Sequence, residues 1–155
     1  MTGSTQDQGD QEFDEYWGWV KAIVCNYAIE CAIKFRVLQD TIYGKFDIVE
    51  FEELDSKSCN GLSIGKVTEG SSKLSLRETS NKIIHAKRAV SQWTESKTDN
   101  KKFRYWSGEI ELCGERRAEE WVILLNVGVW SQAMQRFIEK FSYSDASHYV
   151  GQDWY

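Results

Sequence analysis

The chain has 155 residues, enough for one domain with a sizeable core, and 41% of them are hydrophobic and 28% charged. A net charge of −5 and a pI near 5.1 argue against a broad polyanion-binding surface. Seven Trp, seven Tyr and seven Phe make a heavy aromatic load, which suits both an aromatic core and an aromatic self-association surface.

Residues 1–11 are polar and acidic and read as a disordered lead-in; residues 12–155 read as one α+β domain. From Phe13 to about Tyr43 the pattern is a long helix, with Asp14 and Glu15 in its first turn and Gly44 just past its end. Its centre is apolar on nearly every side (Trp17, Trp19, Val20, Ile23, Val24, Tyr27), which predicts burial on most faces. Lys21, Asn26, Glu30 and Lys34 interrupt the run, so no membrane span is expected. Asn26 and Glu30 lie one turn apart; they either meet a polar partner such as Arg77 or lie on a solvated edge, the commoner outcome.

Phe46–Asp55 fits a short helix started by Asp47 or an edge strand equally well. Residues 56–73 are rich in Ser, Gly, Lys and Asn and read as a long loop. Within it, Gly61 to Thr68 superficially resembles a phosphate-binding loop. Its spacing is one residue short and Val67 stands where a magnesium-binding hydroxyl is required, so that reading fails.

Residues 75–88 carry the best helix-start signal, with Ser75 as N-cap and Glu78 three residues on. Leu76, Ile83 and Ile84 form its apolar stripe, and Ser80 allows close packing. Arg77, Asn81 and His85 recur every four residues and form one polar strip, which Arg88 continues. Local basic clusters are expected at Lys82, Lys87 and Arg88, and at Lys101, Lys102 and Arg104.

The period then changes to two. Val90–Glu95, Phe103–Cys113 and Ala118–Val127 predict a three-stranded antiparallel meander, the third strand buried on both faces. Lys97–Lys102 and Gly114–Arg117 are its turns. A C-terminal helix, Trp130–Phe141, has Ala133, Met134, Phe137, Ile138 and Phe141 on its buried side. The aromatic tail (Tyr143, His148, Tyr149, Trp154, Tyr155) is expected to dock on its own domain or on a second copy.

Cys25, Cys31, Cys59 and Cys113 form no Cys-x-x-Cys, and the two histidines lack metal-ligand spacing, so no metal and no cofactor are expected. With no basic, apolar leader, the expectation is free thiols in a reducing cytosol. Glu109 and Glu111 share a strand face; such a pair is usually solvated rather than catalytic.

Only the Arg77, Asn81 and His85 strip has the makings of chemistry. Arginine holds a phosphate through paired donors, histidine moves protons near neutral pH, and asparagine orients either. The segment resembles the Arg-x(4–6)-His motif of the HEPN-superfamily ribonucleases, a helical and usually dimeric family. That resemblance implies metal-independent RNA cleavage, toxin-like, with Arg77 and His85 at a dimer groove. Here seven residues separate the two, and Glu78 follows the arginine. The run Leu-Arg-x-x-x-Asn-Lys-Ile-Ile-His-Ala also resembles a segment of uncharacterised small bacterial proteins, which implies no activity. The leading expectation is therefore a non-catalytic module that forms a homodimer through aromatic surface and binds a protein or small molecule. The alternative is an endoribonuclease using Arg77, Asn81 and His85.

Overall fold

The computed structural model describes residues 5–43, 48–98, 101–144 and 147. The elements run α1 (Thr5–Val20), a π-helical turn (Lys21–Cys25), α2 (Asn26–Tyr43), α3 (Ile48–Cys59), β1 (Gly65–Glu69), α4 (Leu76–His85), β2 (Arg88–Thr98), β3 (Lys101–Arg116), β4 (Glu119–Asn126) and α5 (Val127–Ser142). This is an α+β fold with a long N-terminal helix and a C-terminal helix around an antiparallel sheet.

The long helix reaches back to Thr5, so part of the expected disordered lead-in is helical. Its inner side is set by Ala28, Ala32, Phe35, Gln39 and Ile42, spaced alternately four and three. At ~100° per residue, Val20 would sit about 80° off that line in an unbroken α-helix. The wide turn at Lys21–Cys25 adds one residue and returns Val20 to the buried side. The outer side is not buried as its sequence suggests: Trp19 is 66% and Tyr27 63% exposed. Gly44 and Asp47 lie outside the described residues.

Of the two readings for the next segment, the helix holds: α3 spans Ile48–Cys59. The sheet has four strands rather than three, in the order β1-β4-β3-β2, all antiparallel. The added edge strand, β1, comes from the segment read as loop. Gly65, in the stretch resembling a phosphate-binding loop, is a strand residue; a Cβ there would lie 2.6 Å from the Leu124 carbonyl, so only glycine permits this approach.

β4 is buried on one face, not two: Trp121, Ile123 and Leu125 point inward, while Val122 and Leu124 are half-buried opposite. Ile110 and Leu112 of β3 share the inner face. The β2–β3 hairpin outruns β4, whose pairing to β3 begins at Glu109. Its outer half stands beside α1, where Phe13 and Tyr16 meet the Trp93 ring at 5.2 and 5.8 Å.

The helices cover the inner face, α4 and α5 on the strands, with α2 against α4 and α3 against α5. An aromatic cluster seals them: Phe137 lies 4.9 Å from Phe35 and 5.2 Å from Phe51, ring centre to ring centre. Such a ring, fully buried, contributes about 1.5–3 kcal/mol. On α5, Phe137 and Phe141 are buried and Met134 half-buried, but Ile138 is 59% exposed, since it falls off the 130–133–137–141 line. Tyr143 is exposed, and the tail residues His148, Tyr149, Trp154 and Tyr155 lie outside the described residues.

Candidate functional site

Helix α4 starts where the sequence places it. Ser75 is extended and its Oγ accepts the Glu78 N–H at 3.1 Å. The Glu78 carboxylate does not return to complete a capping box; it lies 3.6 Å from Lys82 Nζ. The second cap comes from α3. Asp55, buried, accepts the N–H of Leu76 at 2.8 Å and of Arg77 at 2.9 Å. A carboxylate here also meets the positive end of the helix dipole. With the Thr79 N–H on the Ser75 carbonyl, the first-turn donors are all engaged.

Arg77 is held from α2. Its Nη1 donates to the Tyr43 hydroxyl, and the guanidinium lies 5.0 Å from the centre of that ring. Gln39 Nε2 donates to the same hydroxyl at 2.6 Å, and Arg36 Nη1 donates to Gln39 Oε1 at 2.6 Å. Arg36 in turn pairs with Asp40. This chain of side chains joins α2 to α4 and fixes the guanidinium. Arg77 does not pair with Glu30, which bonds Lys34 on an exposed edge beside exposed Asn26.

Arg77, Asn81 and His85 do share one side of α4, but they do not converge. His85 lies eight residue steps beyond Arg77, about 12 Å along the helix axis. Asn81 is half-buried and His85 exposed at the last turn. Arg77 lines a cavity of about 540 Å³ between α2, α3 and α4, and neither Asn81 nor His85 lines it. The helix ends at His85, so Arg88 leaves the strip: it lies on β2, 3.6 Å from Glu111.

The expected basic cluster is dispersed in the same way. Lys82 is buried, its ammonium 4.0 Å above the Trp121 ring, and Lys87 pairs with Glu115, whose carboxyl it holds below the usual range. The Trp121 ring itself lies over Gly114, where a side chain would collide with it. In the second cluster, Arg104 pairs with Glu95 at 2.9 Å.

Sequence reasoning missed Gln39, Tyr43 and Asp55. Gln39 and Asp55 did carry a signal. Each is a polar residue on the apolar line of its helix, Gln39 four after Phe35 and Asp55 four after Phe51, where burial without a partner would be costly. The Cys59 thiol donates toward Asp55 at 3.6 Å; burial, then the Asp55 charge, pushes it up to about 11, so it is no nucleophile near neutral pH.

Among the described residues no group of His, Cys, Asp and Glu has a metal-binding arrangement, and no helix is long and apolar enough to cross a membrane. No protein-family model matches the chain. No curated protein and no solved structure matches it.

Proposed function

We propose that this protein is a non-catalytic, homotypic binding module that forms a dimer through the outer face of its long N-terminal helix. What carries the reading is the exposure of large apolar side chains. Eight lie on that helix: Tyr16, Trp17, Trp19, Ile23, Tyr27, Ile29, Ile33 and Val37. So many exposed large apolar side chains on one helix, set on either side of the polar Asn26, Glu30 and Lys34, mark an interaction surface.

The occupant is a second copy because the pattern complements itself. Trp19, Ile23 and Tyr27 form one line and Ile29, Ile33 and Val37 another, each with four-residue steps. An antiparallel two-fold at the height of Ala28, which itself faces inward, sets Trp19 of each copy at the same height along the axis as Val37 of the other, Ile23 as Ile33, and Tyr27 as Ile29. A two-fold interface requires such reciprocity. The four free thiols suit a reducing compartment such as the cytosol.

Light scattering coupled to size exclusion tests the reading. The wild type is expected to run as a dimer and the Ile23→Glu/Ile33→Glu variant as a folded monomer. A wild type that stays monomeric at millimolar concentration defeats it.

A further inference from the structure

We propose that the cavity between α2, α3 and α4 is a binding site for a small organic carboxylate with an apolar body, anchored by the Arg77 guanidinium and the Tyr43 hydroxyl. Its volume, about 540 Å³, falls within the ~300–1,000 Å³ of ordinary small-molecule sites. Phe51, Leu62 and Leu74 supply an apolar wall, and Tyr43 and Arg77 a polar corner.

One proton decides the ligand chemistry. Arg36 donates to Gln39 Oε1, so the Gln39 amide has only one orientation, with Nε2 turned to Tyr43. Arg77 donates to the same phenol oxygen. Both acceptor positions of that oxygen are thus filled by donors from the protein. Its own O–H proton has no acceptor among the described residues, and Tyr43 lines the cavity. Beside it, Arg77 uses one side-chain N–H of its five among the described residues. The corner therefore offers donors and no free acceptor.

An acceptor-only group answers such a corner. A carboxylate is planar and fits the guanidinium fork. A phosphate monoester offers similar oxygens but brings close to two charges; the wall sets Glu52 and Asp55 against them and only Lys73 beside Arg77 in their favour, which suits the single charge of a carboxylate better. The start of α4 takes no part, since Asp55 and Ser75 already hold its N–H groups. The Arg36–Gln39–Tyr43 chain acts behind the site and positions the two anchors.

Amide chemical-shift titration of the full chain tests this with phenylacetate, 2-phenylethanol and phenyl phosphate as probes. Phenylacetate is expected to give saturable shifts confined to Tyr43 and to residues 51–62 and 73–77, with 2-phenylethanol at least about tenfold weaker, because it cannot use the charged fork. Tyr43→Phe keeps the ring and should weaken phenylacetate by about five- to tenfold in a protein that stays folded at the titration temperature, with a lower Tm because the buried Gln39 Nε2 loses its acceptor. Leu62→Trp should fill the space and abolish the shifts. Equal binding of alcohol and acid, unaltered affinity in Tyr43→Phe, or no saturable shift by about 10 mM would each overturn the site. Tighter binding of phenyl phosphate would overturn the choice of carboxylate.

Discussion

Asp55, near the end of α3, caps Leu76, the first residue of α4, through a hydrogen bond of 2.8 Å from the Leu76 N–H. The other carboxylate oxygen takes the Arg77 N–H at 2.9 Å, so one buried side chain holds two first-turn donors 21 and 22 residues downstream. Removing it leaves both N–H groups without their partner. Asp55→Ala is expected to cost about 3 kcal/mol, the range for losing charge-assisted hydrogen bonds, and Asp55→Asn about 2 kcal/mol, since one oxygen remains. Urea unfolding followed by circular dichroism measures both.

The β3–β4 hairpin carries avoidable strain. Its two-residue loop is Arg117 and Ala118, at φ 53° and 66°. Both stand in the left-handed region that this tight turn demands and that side chains with a Cβ disfavour by ~1–2 kcal/mol each. Arg117→Asn/Ala118→Gly keeps the turn and relieves the clash. It is expected to raise stability by about 1–2 kcal/mol, partly offset by the entropy glycine brings to the unfolded chain. A thermal melt rising by several degrees checks it.

What was legible in the sequence follows from how local each signal is. The start of α4 was legible because the cap and the N–H it accepts lie within one turn: Ser75 and Glu78. The meander was legible because Glu109 to Leu112 alternates and Trp121 to Leu125 is a short apolar run bounded by turns, although that run reads as buried on both faces and only Trp121, Ile123 and Leu125 are buried. β1 was not, because Lys66, Val67 and Thr68 offer one apolar side chain and the strand exists only through its pairing to β4. The long helix misled in the opposite direction, since its apolar residues circle the axis and hydropathy does not say which of them a second surface covers. The arginine strip was legible as geometry. Its partners were not, because Tyr43 and Arg77 are 34 residues apart.

Lys82 gives a further test of a residue whose chemistry and location conflict. Its ammonium lies 4.0 Å over Trp121 and 3.6 Å from Glu78, buried under the sheet edge rather than in a basic surface cluster. Desolvation of the charge offsets most of what the ring and the carboxylate return. Lys82→Met preserves the stem's packing on Trp121 and is expected to change stability by less than about 1 kcal/mol. Lys82→Ala loses the stem as well and is expected to cost about 2 kcal/mol. Equilibrium urea unfolding separates the two.

The thiols should sort by environment. Cys31 is exposed, whereas burial raises Cys25 and, with the Asp55 charge, takes Cys59 from 9.0 to about 11. At pH 8, brief iodoacetamide treatment is expected to modify Cys31 first and leave Cys59 largely intact, as read by peptide mass spectrometry. The same shift has a consequence for folding. A thiol raised in the folded state favours that state while it stays protonated, at pH below the ordinary thiol range. The contribution fades as pH climbs through about 11, where the native thiol finally ionises. Unfolding free energy is expected to decline between about pH 9 and 11, and Cys59→Ala should flatten that decline.

Ser80 is the last position where the chain departs from its own best packing. Its hydroxyl is buried without a hydrogen-bond partner, alone in this among the described buried side-chain N and O atoms. The neighbouring Thr79 shows the satisfied alternative: its Oγ1 donates to the Ser75 carbonyl at 2.7 Å and accepts the Trp130 indole N–H at 3.0 Å. A serine in the middle of a helix also has a weaker intrinsic preference for that state than alanine. Ser80→Ala removes one atom, relieves an unpaired polar group and improves helix propensity together. It is expected to stabilise by about 1 kcal/mol in urea, whereas Thr79→Val, which strands the Trp130 N–H, should destabilise by about 1–3 kcal/mol. If Ser80→Ala instead lowered stability by a similar amount, the hydroxyl would have to be satisfied within the fold, contrary to the geometry around α4.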